Sequence, residues 1–309
     1  MNEKILFNVE TPYRQPISVK GWFFGNPEKK TLAVIGALRG TEIQQMYICS
    51  QLIRNLANLE QAGCLAADCG ILVIPCANQF SMNVKRRFWA VDNTDINRMF
   101  PGYDKGETTQ RIAASIFSAL QGYEYGIQIT GTHMPGAYVP HIRIIETGYE
   151  HPQTAAAFGL PYIVMRQPRP YDTTTLNYNW QIWDTTAFSI YANDYNGINQ
   201  SAAREITDAV IRFLSAKNFC HTAAAPGAKT RLLREEMLHD IIAVKGGIIT
   251  HQLKLNDKIT AGALLAKIID PCTGQILEQL HSNINGRVFF IHQEGLINGH
   301  NIALRLLPE

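Results

Sequence analysis

Short, wholly apolar runs alternate with stretches of helical spacing along most of the chain. Residues 31–37, Thr-Leu-Ala-Val-Ile-Gly-Ala, read as a buried strand that ends on small residues. A helix is predicted next, because Ile43, Met46, Tyr47, Ser50, Leu52, Ile53 and Leu56 keep roughly helical spacing. Residues 71–76, Ile-Leu-Val-Ile-Pro-Cys, predict a second buried strand. The polar and aromatic stretch from Ala77 to Tyr103 is too long for an idle connection, and long loops of this kind are often functional. An amphipathic helix is predicted over Glu107–Leu120, starting near Thr108 and Thr109. Strands are predicted at 125–130 and 141–146. A helix over 201–214 carries Ala203, Ile206, Val210, Ile211 and Leu214 on one face. Strands alternating with helices imply an α/β fold around a mostly parallel sheet flanked by helices.

The pattern changes near residue 221. His-Thr-Ala-Ala-Ala-Pro-Gly-Ala-Lys, 221–229, is a small-residue linker candidate. Beyond it, short β-type runs such as Leu264-Leu-Ala-Lys-Ile-Ile are separated by Gly and Asn turns, which predicts a small all-β domain. The expected division is an α/β domain over 1–220 and a β domain over 230–309.

Composition narrows the class. Apolar residues are 46% and charged residues 17% of 309, ample for a core. The net charge is +2, from 28 basic and 26 acidic residues, so no nucleic-acid partner is expected. No apolar run is long enough to span a bilayer, so no membrane partner is expected. The first ten residues lack the apolar core of a signal peptide, and a cytoplasmic location is expected. Cys49, Cys64, Cys69, Cys76, Cys220 and Cys272 form no CxxC pair and read as free thiols.

Two stretches carry candidate chemistry. Arg39-Gly40-Thr41-Glu42 follows the first strand, and Arg39 and Glu42 are close enough at a helix start to pair. Asp92-Asn-Thr-Asp-Ile-Asn-Arg-Met-Phe-Pro-Gly102 contains Asn97 and Arg98, with Arg87 ten residues before Asn97. An arginine fork binds a carboxylate bidentately, and an asparagine amide can orient an adjacent carbonyl. A lone arginine would read better as a solvated loop residue. The polar, aromatic stretch Arg166–Trp183 reads equally as a pocket wall and as a surface loop packed by its own aromatics.

Residues 92–102 resemble the Asp-Gly-x-Asp-Leu-Asn-Arg-x-Phe-Pro-Gly segment of the succinylglutamate desuccinylase/aspartoacylase family, within the zinc carboxypeptidase-like superfamily. Arg87, Asn97 and Arg98 match its substrate-carboxylate positions, and eleven positions stand in register. The resemblance implies a zinc-carboxypeptidase-like domain and zinc-activated hydrolysis of N-acyl amino acids or related amides. It places zinc ligands at Arg39, Glu42 and Thr130, where the family reads Gly-x-His-Gly-Asn-Glu and Asp-Leu-His-Thr. Only Glu42 keeps a ligand, since arginine has no lone pair to offer. His133 could substitute but reads better as a polar loop residue. The family's general-base glutamate has no counterpart after 187–193, and Asp194 is the nearest acid. The C-terminal region resembles the barrel-sandwich hybrid shared with biotinyl and lipoyl domains, through Gly247, Asn256-Asp257, Gly262, Asp270 with Gly274, Asn285-Gly286-Arg287-Val288 and Gly299. Its turn at 270–274 has no lysine, so no attached cofactor is expected.

The residues therefore favour a metal-free protein that keeps a carboxylate pocket, lined by Arg39, Arg87, Asn97 and Arg98, with no cofactor. Its expected ligand is a small carboxylate such as an N-acyl amino acid. The alternative is a zinc-dependent hydrolase with a non-standard metal site. A third reading has Arg39 as an electrophilic clamp, with Asp194 or His133 as base.

Overall fold

The computed structural model describes residues 2–10, 15–132, 134–192 and 197–309. The chain divides into two compact units, Met1–Gly131, Pro140–Tyr191 and Ile198–Leu232 in the first, and Thr132–Val139, Ala192–Gly197 and Leu233–Glu309 in the second. This differs from a linear division at 220–230. In chain order the elements are β1 (Asn2–Val9), β2 (Ile17–Gly25), β3 (Leu32–Ile35), α1 (Ile43–Gln61), β4 (Gly70–Ile74), α2 (Gln79–Asn83), α3 (Thr108–Leu120) and β5 (Tyr125–Thr130). There follow β6 (Gly136–Tyr138), β7 (His141–Ile145), α4 (Pro152–Ala155), β8 (Tyr162–Arg166), α5 (Leu176–Ile182), β9 (Thr186–Tyr191), α6 (Gln200–Ala216) and β10 (Arg231–Arg234).

The first unit is an α/β domain on a nine-stranded sheet of order β1-β2-β4-β3-β5-β9-β7-β8-β10. Strands β4, β3, β5 and β9 run parallel, and β7 pairs parallel with β8. Strands β3, β4 and β5 are buried at every position, as strands covered on both faces must be. Ala33 and Ile35 face a core with Ile112, Ile116 and Leu120 of α3 and with Leu176 and Trp180 of α5. Leu32 and Val34, also fully buried, point to the opposite face by the period-two rule. Helices α1 and α6 pack together, burying Ile48, Leu52 and Leu56 of α1 and Ile206, Val210 and Phe213 of α6.

Residues 221–230 lie against the domain instead of hanging free. Ser215 donates to the Thr222 carbonyl (3.1 Å), and the Ala228 N–H to that of Gly159 (2.8 Å). Within the stretch from 166 to 183, residues 167–171 are exposed and the buried part lies further on. A 3-10 turn at Pro170–Thr174 leads into α5, whose Leu176, Asn177, Asn179, Trp180 and Gln181 are buried.

The second unit holds two antiparallel sheets. Their strands are β11 (His239–Ala243), β12 (Gly247–Thr250), β13 (Lys258–Ile259), β14 (Leu264–Ile269), β15 (Ile276–His281), β16 (Gly286–His292), β17 (Leu296–Ile297) and β18 (Asn301–Pro308). One sheet has the order β11-β18-β16-β13, with β6 pairing β16 antiparallel, and the other β15-β14-β12-β17. That pairing draws residues 132–139 into this unit. The 270–274 turn is closed by Asp270, which accepts the Cys272 and Thr273 N–H groups at 2.8 Å each. Among the described residues no helix is long and apolar enough to cross a membrane.

Candidate functional site

The site begins where β3 turns into α1. Ala37 takes a left-handed φ of 41°, a conformation that costs an alanine and favours glycine. Fully buried Asn78, at the N-terminus of α2, holds this turn by donating from Nδ2 to the Leu38 carbonyl (3.3 Å). Its N–H bonds the Ala37 carbonyl (3.1 Å). Gly40 is required by close approach, because a Cβ there would lie 2.3 Å from the Arg86 carbonyl oxygen. The turn and the long 77–103 segment are thus pressed together, and the Gly40 N–H donates to the Arg87 carbonyl (2.9 Å).

Arg39 and Glu42 are both buried. Arg39 Nη1 donates to Glu42 Oε1 (3.2 Å), and the Arg39 N–H to Oε2 (3.1 Å). The Gly131 N–H, just beyond β5, also reaches Oε1 (3.4 Å). The other side of the guanidinium meets Asp95, with Nε at 3.1 Å and Nη2 at 2.9 Å from Oδ2. Burial pushes the Arg39 pKa down, but the Glu42 and Asp95 carboxylates more than offset it, leaving the guanidinium above the ordinary arginine value. Asp95 is the residue that sequence reasoning missed as a partner of Arg39. It lies 56 positions away, and its only sequence signal is its place in the Asn-Arg segment.

Asp95 also caps the 3-10 turn Ile96–Arg98, accepting the Asn97 N–H at 3.0 Å. Asn97 is buried, and its Oδ1 accepts the Leu176 N–H at the start of α5 (3.2 Å). Arg98 turns to the 170–174 segment. Its Nη1 donates to the Tyr171 carbonyl (2.9 Å), and its guanidinium lies 4.8 Å from that ring's centre. Its side chain holds the loop to the 170–174 segment through Tyr171. Arg87 is half-buried, and burial, then the Arg39 charge, holds its pKa below the ordinary value. Arg39, Arg87, Glu42 and Asp95 thus form a cluster of two cations and two anions, less electropositive than three arginines against one glutamate.

Behind Tyr171, Arg166 grips Asp172 bidentately at 2.6 and 2.7 Å, both buried. Burial works to raise the Asp172 pKa. The Arg166 fork, the Arg169 N–H and the charges of Arg166 and Arg98 outweigh it and hold the carboxyl below its usual range.

The side chains at 39, 42 and 130 do not fit a zinc ion. A guanidinium donates and has no lone pair, and both Glu42 oxygens already accept hydrogen bonds. Thr130 is buried, its hydroxyl directed at the Gly131 carbonyl (3.4 Å). Among the described residues no three His, Cys, Asp or Glu side chains converge as a metal site. His133 and Asp194 lie outside the described residues.

A strand-to-helix turn and a long loop meeting at the carboxyl ends of parallel strands define an α/β-domain protein whose site lies at that edge of the sheet. The family model described as "Succinylglutamate desuccinylase/Aspartoacylase catalytic domain" matches residues 28–190. The chain belongs to the succinylglutamate desuccinylase/aspartoacylase family. Similar solved structures include a succinylglutamate desuccinylase from Silicibacter sp. TM1040, with 16% identity, TM-score 0.83 and coverage of 99% of this chain and 94% of that one. The product-bound ectoine utilization protein of Ruegeria pomeroyi is 16% identical with TM-score 0.79, covering 95% and 90%. A succinylglutamate desuccinylase/aspartoacylase from Rhodobacter sphaeroides is 16% identical with TM-score 0.76, covering 95% and 90%. At this identity the likeness speaks for the fold. No curated protein matches the sequence.

Proposed function

We propose that this chain is a zinc-independent member of its family that binds a small carboxylate, such as an N-acyl amino acid, and does not hydrolyse it. The observation that carries the reading is the buried Arg39 guanidinium held between Glu42 and Asp95. A cation bonded to the carboxylate that would ligate a metal opposes a second cation beside it, and no metal-activated water is then available for attack. Arg87 and Arg98 supply the positive charge for a ligand carboxylate, and the Asn97 amide shapes the wall between them. The six unbonded thiols suit a reducing, cytoplasmic setting.

The test is metal analysis of protein purified without chelators, with thermal-shift titration of wild type and Arg98→Ala against acidic N-acyl amino acids. Expected are less than a tenth of a zinc per chain, on the order of trace occupancy for a site lacking three ligands, a carboxylate-dependent shift in wild type, and a weaker one in Arg98→Ala. One zinc per chain, lost in Glu42→Gln, would overturn the metal-free reading. Absence of any shift would overturn the carboxylate pocket.

A further inference from the structure

On one face of the sheet, the carboxyl-terminal halves of β5 and β9 and the amino-terminal half of the antiparallel β7 are polar. Gln128 pairs with Ser189, which pairs with Arg143; in the next row Thr130 pairs with Tyr191, which pairs with His141. The opposite face of the same strands carries Ile127, Ile129, Phe188, Ile190, Ile142 and Ile144, all buried. Interior strands of this kind are normally apolar on both faces, so two polar rows break the local rule where functional sites tend to do so.

Helix α5 covers this polar face and runs opposite to β9, to which it is joined by a short turn. Its Trp180 lies over the row before the polar ones, because a Cβ on Gly126 would come 2.8 Å from the Trp180 ring. Three residues back along α5 is about 4.5 Å, and the next row on a strand face is about 6.6 Å on. That step brings Asn177 toward the row of Gln128, Ser189 and Arg143. Asn177 is 3% exposed, and among the described residues neither its Nδ2 nor its Oδ1 has a hydrogen-bond partner. Arg143 stands at the end of the same row, its guanidinium 4.2 Å from the Tyr191 ring centre. The place is next to the site described above: Leu176, beside Asn177, donates to Asn97, and Glu42 accepts from Gly131 just past β5.

A buried amide with both ends unpaired keeps its desolvation penalty until a group with a matching donor and acceptor arrives. We propose that Asn177, with Gln128 and Ser189, forms a subsite for a primary carboxamide on the ligand, the group whose adjacent C=O and N–H complement an asparagine amide. This inference rests on the carboxylate-binding reading, which supplies the anchor for the ligand's other end. The ligand class is then an N-acyl amino acid with a carboxamide, not a carboxylate, on its side chain.

The test compares two near-isosteric probes, N-acetyl-L-glutamine and N-acetyl-L-glutamate, by calorimetry and thermal shift on the full chain. Wild type is expected to bind the carboxamide roughly ten-fold more tightly, as sites built to hydrogen-bond a group reject its mismatch. Asn177→Leu, similar in volume, is expected to lose that preference and to melt higher than wild type without ligand, because an unpaired amide has been removed. Ser189→Ala, a smaller change, is expected to weaken carboxamide binding several-fold. Equal binding of both probes, or preference for the acid, overturns the subsite and leaves the carboxylate reading standing. No shift with either probe overturns both. A lower ligand-free melting temperature for Asn177→Leu shows that the amide is satisfied by ordered water, and overturns the subsite even if the acid binds.

Discussion

Removing the Arg39 guanidinium tests the centre of the site. Arg39→Met keeps much of the side chain's length and deletes its charge. Glu42 and Asp95 then face each other across the gap, their side chains 5% and 14% exposed. Breaking a buried pair by removing one partner typically costs about 3–5 kcal/mol, because the other charge is left uncompensated. Here one cation serves two carboxylates, so about 4 kcal/mol is a reasonable central value. For a domain of this size that lowers the melting temperature by about 8–16 °C. All four tryptophans, Trp22, Trp89, Trp180 and Trp183, lie in the first unit, so tryptophan fluorescence in a urea titration follows that unit alone. The compensating variant Arg39→Met/Glu42→Gln/Asp95→Asn removes all three charges and should recover most of the loss, to within about 1–2 kcal/mol of wild type. Arg39→Lys should fall between, since an ammonium keeps the charge but cannot bridge two carboxylates with a planar fork. The reasoning is refuted if Arg39→Met stays within about 0.5 kcal/mol of wild type, the behaviour of a solvated surface pair. It is also refuted if the triple variant is no more stable than the single one.

Asp172 is held below its usual pKa in the fold, so its stabilisation is present above the unfolded value of 3.8 and is lost as pH falls through the folded one. Asp172→Asn should therefore be markedly less stable than wild type at pH 7 and approach it in the acid range below about pH 4, measured by urea unfolding at both pH values. The thiols should separate by burial: exposed Cys272 and half-buried Cys64 should react with a thiol reagent in the native protein. Cys49, pushed up by burial, and Cys76, pushed up to about 12 by burial, should react only after unfolding, as read by mass spectrometry of the labelled protein.

The buried strands β3, β4 and β5 and the helices α1, α3 and α6 were legible because each writes its burial as an unbroken apolar run or a helical stripe. The Arg39–Glu42 pair was legible for a similar reason, being three positions apart at a helix start. Helix α5 was not, because its inward face carries Asn177, Asn179 and Gln181, which read as loop residues. Asn179 shows why they are tolerated: its Nδ2 donates to the Thr173 and Thr175 carbonyls at 2.9 Å each. The edge strand β1 escaped notice because it is mostly exposed and offers little apolar periodicity. Asp95 stood in view within the Asn-Arg segment, but no local rule links residues 56 apart, and the fold alone brings it to Arg39. The family resemblance marked where to look, and the pairing of Arg39 with Asp95 and of Arg98 with Tyr171 followed only from the geometry.

These pairings assign the arginines different roles. Arg39 is enclosed by two carboxylates and kept charged by them, so its electrostatic energy is spent on the fold. Arg98 leans on Tyr171, its charge adding to the field around Asp172. Arg87 is the group that its surroundings oppose, being half-buried and repelled by Arg39. An anion brought beside Arg87 relieves that opposition, and the relief appears as binding energy without any new contact elsewhere. Glu42 and Asp95 already oppose the same unfavourable charge in part, which limits how negative an arriving ligand can be before repulsion from them outweighs the gain. A single carboxylate meets the balance of the cluster better than two. A neutral carboxamide at the ligand's other end therefore adds no second negative charge against Glu42 and Asp95.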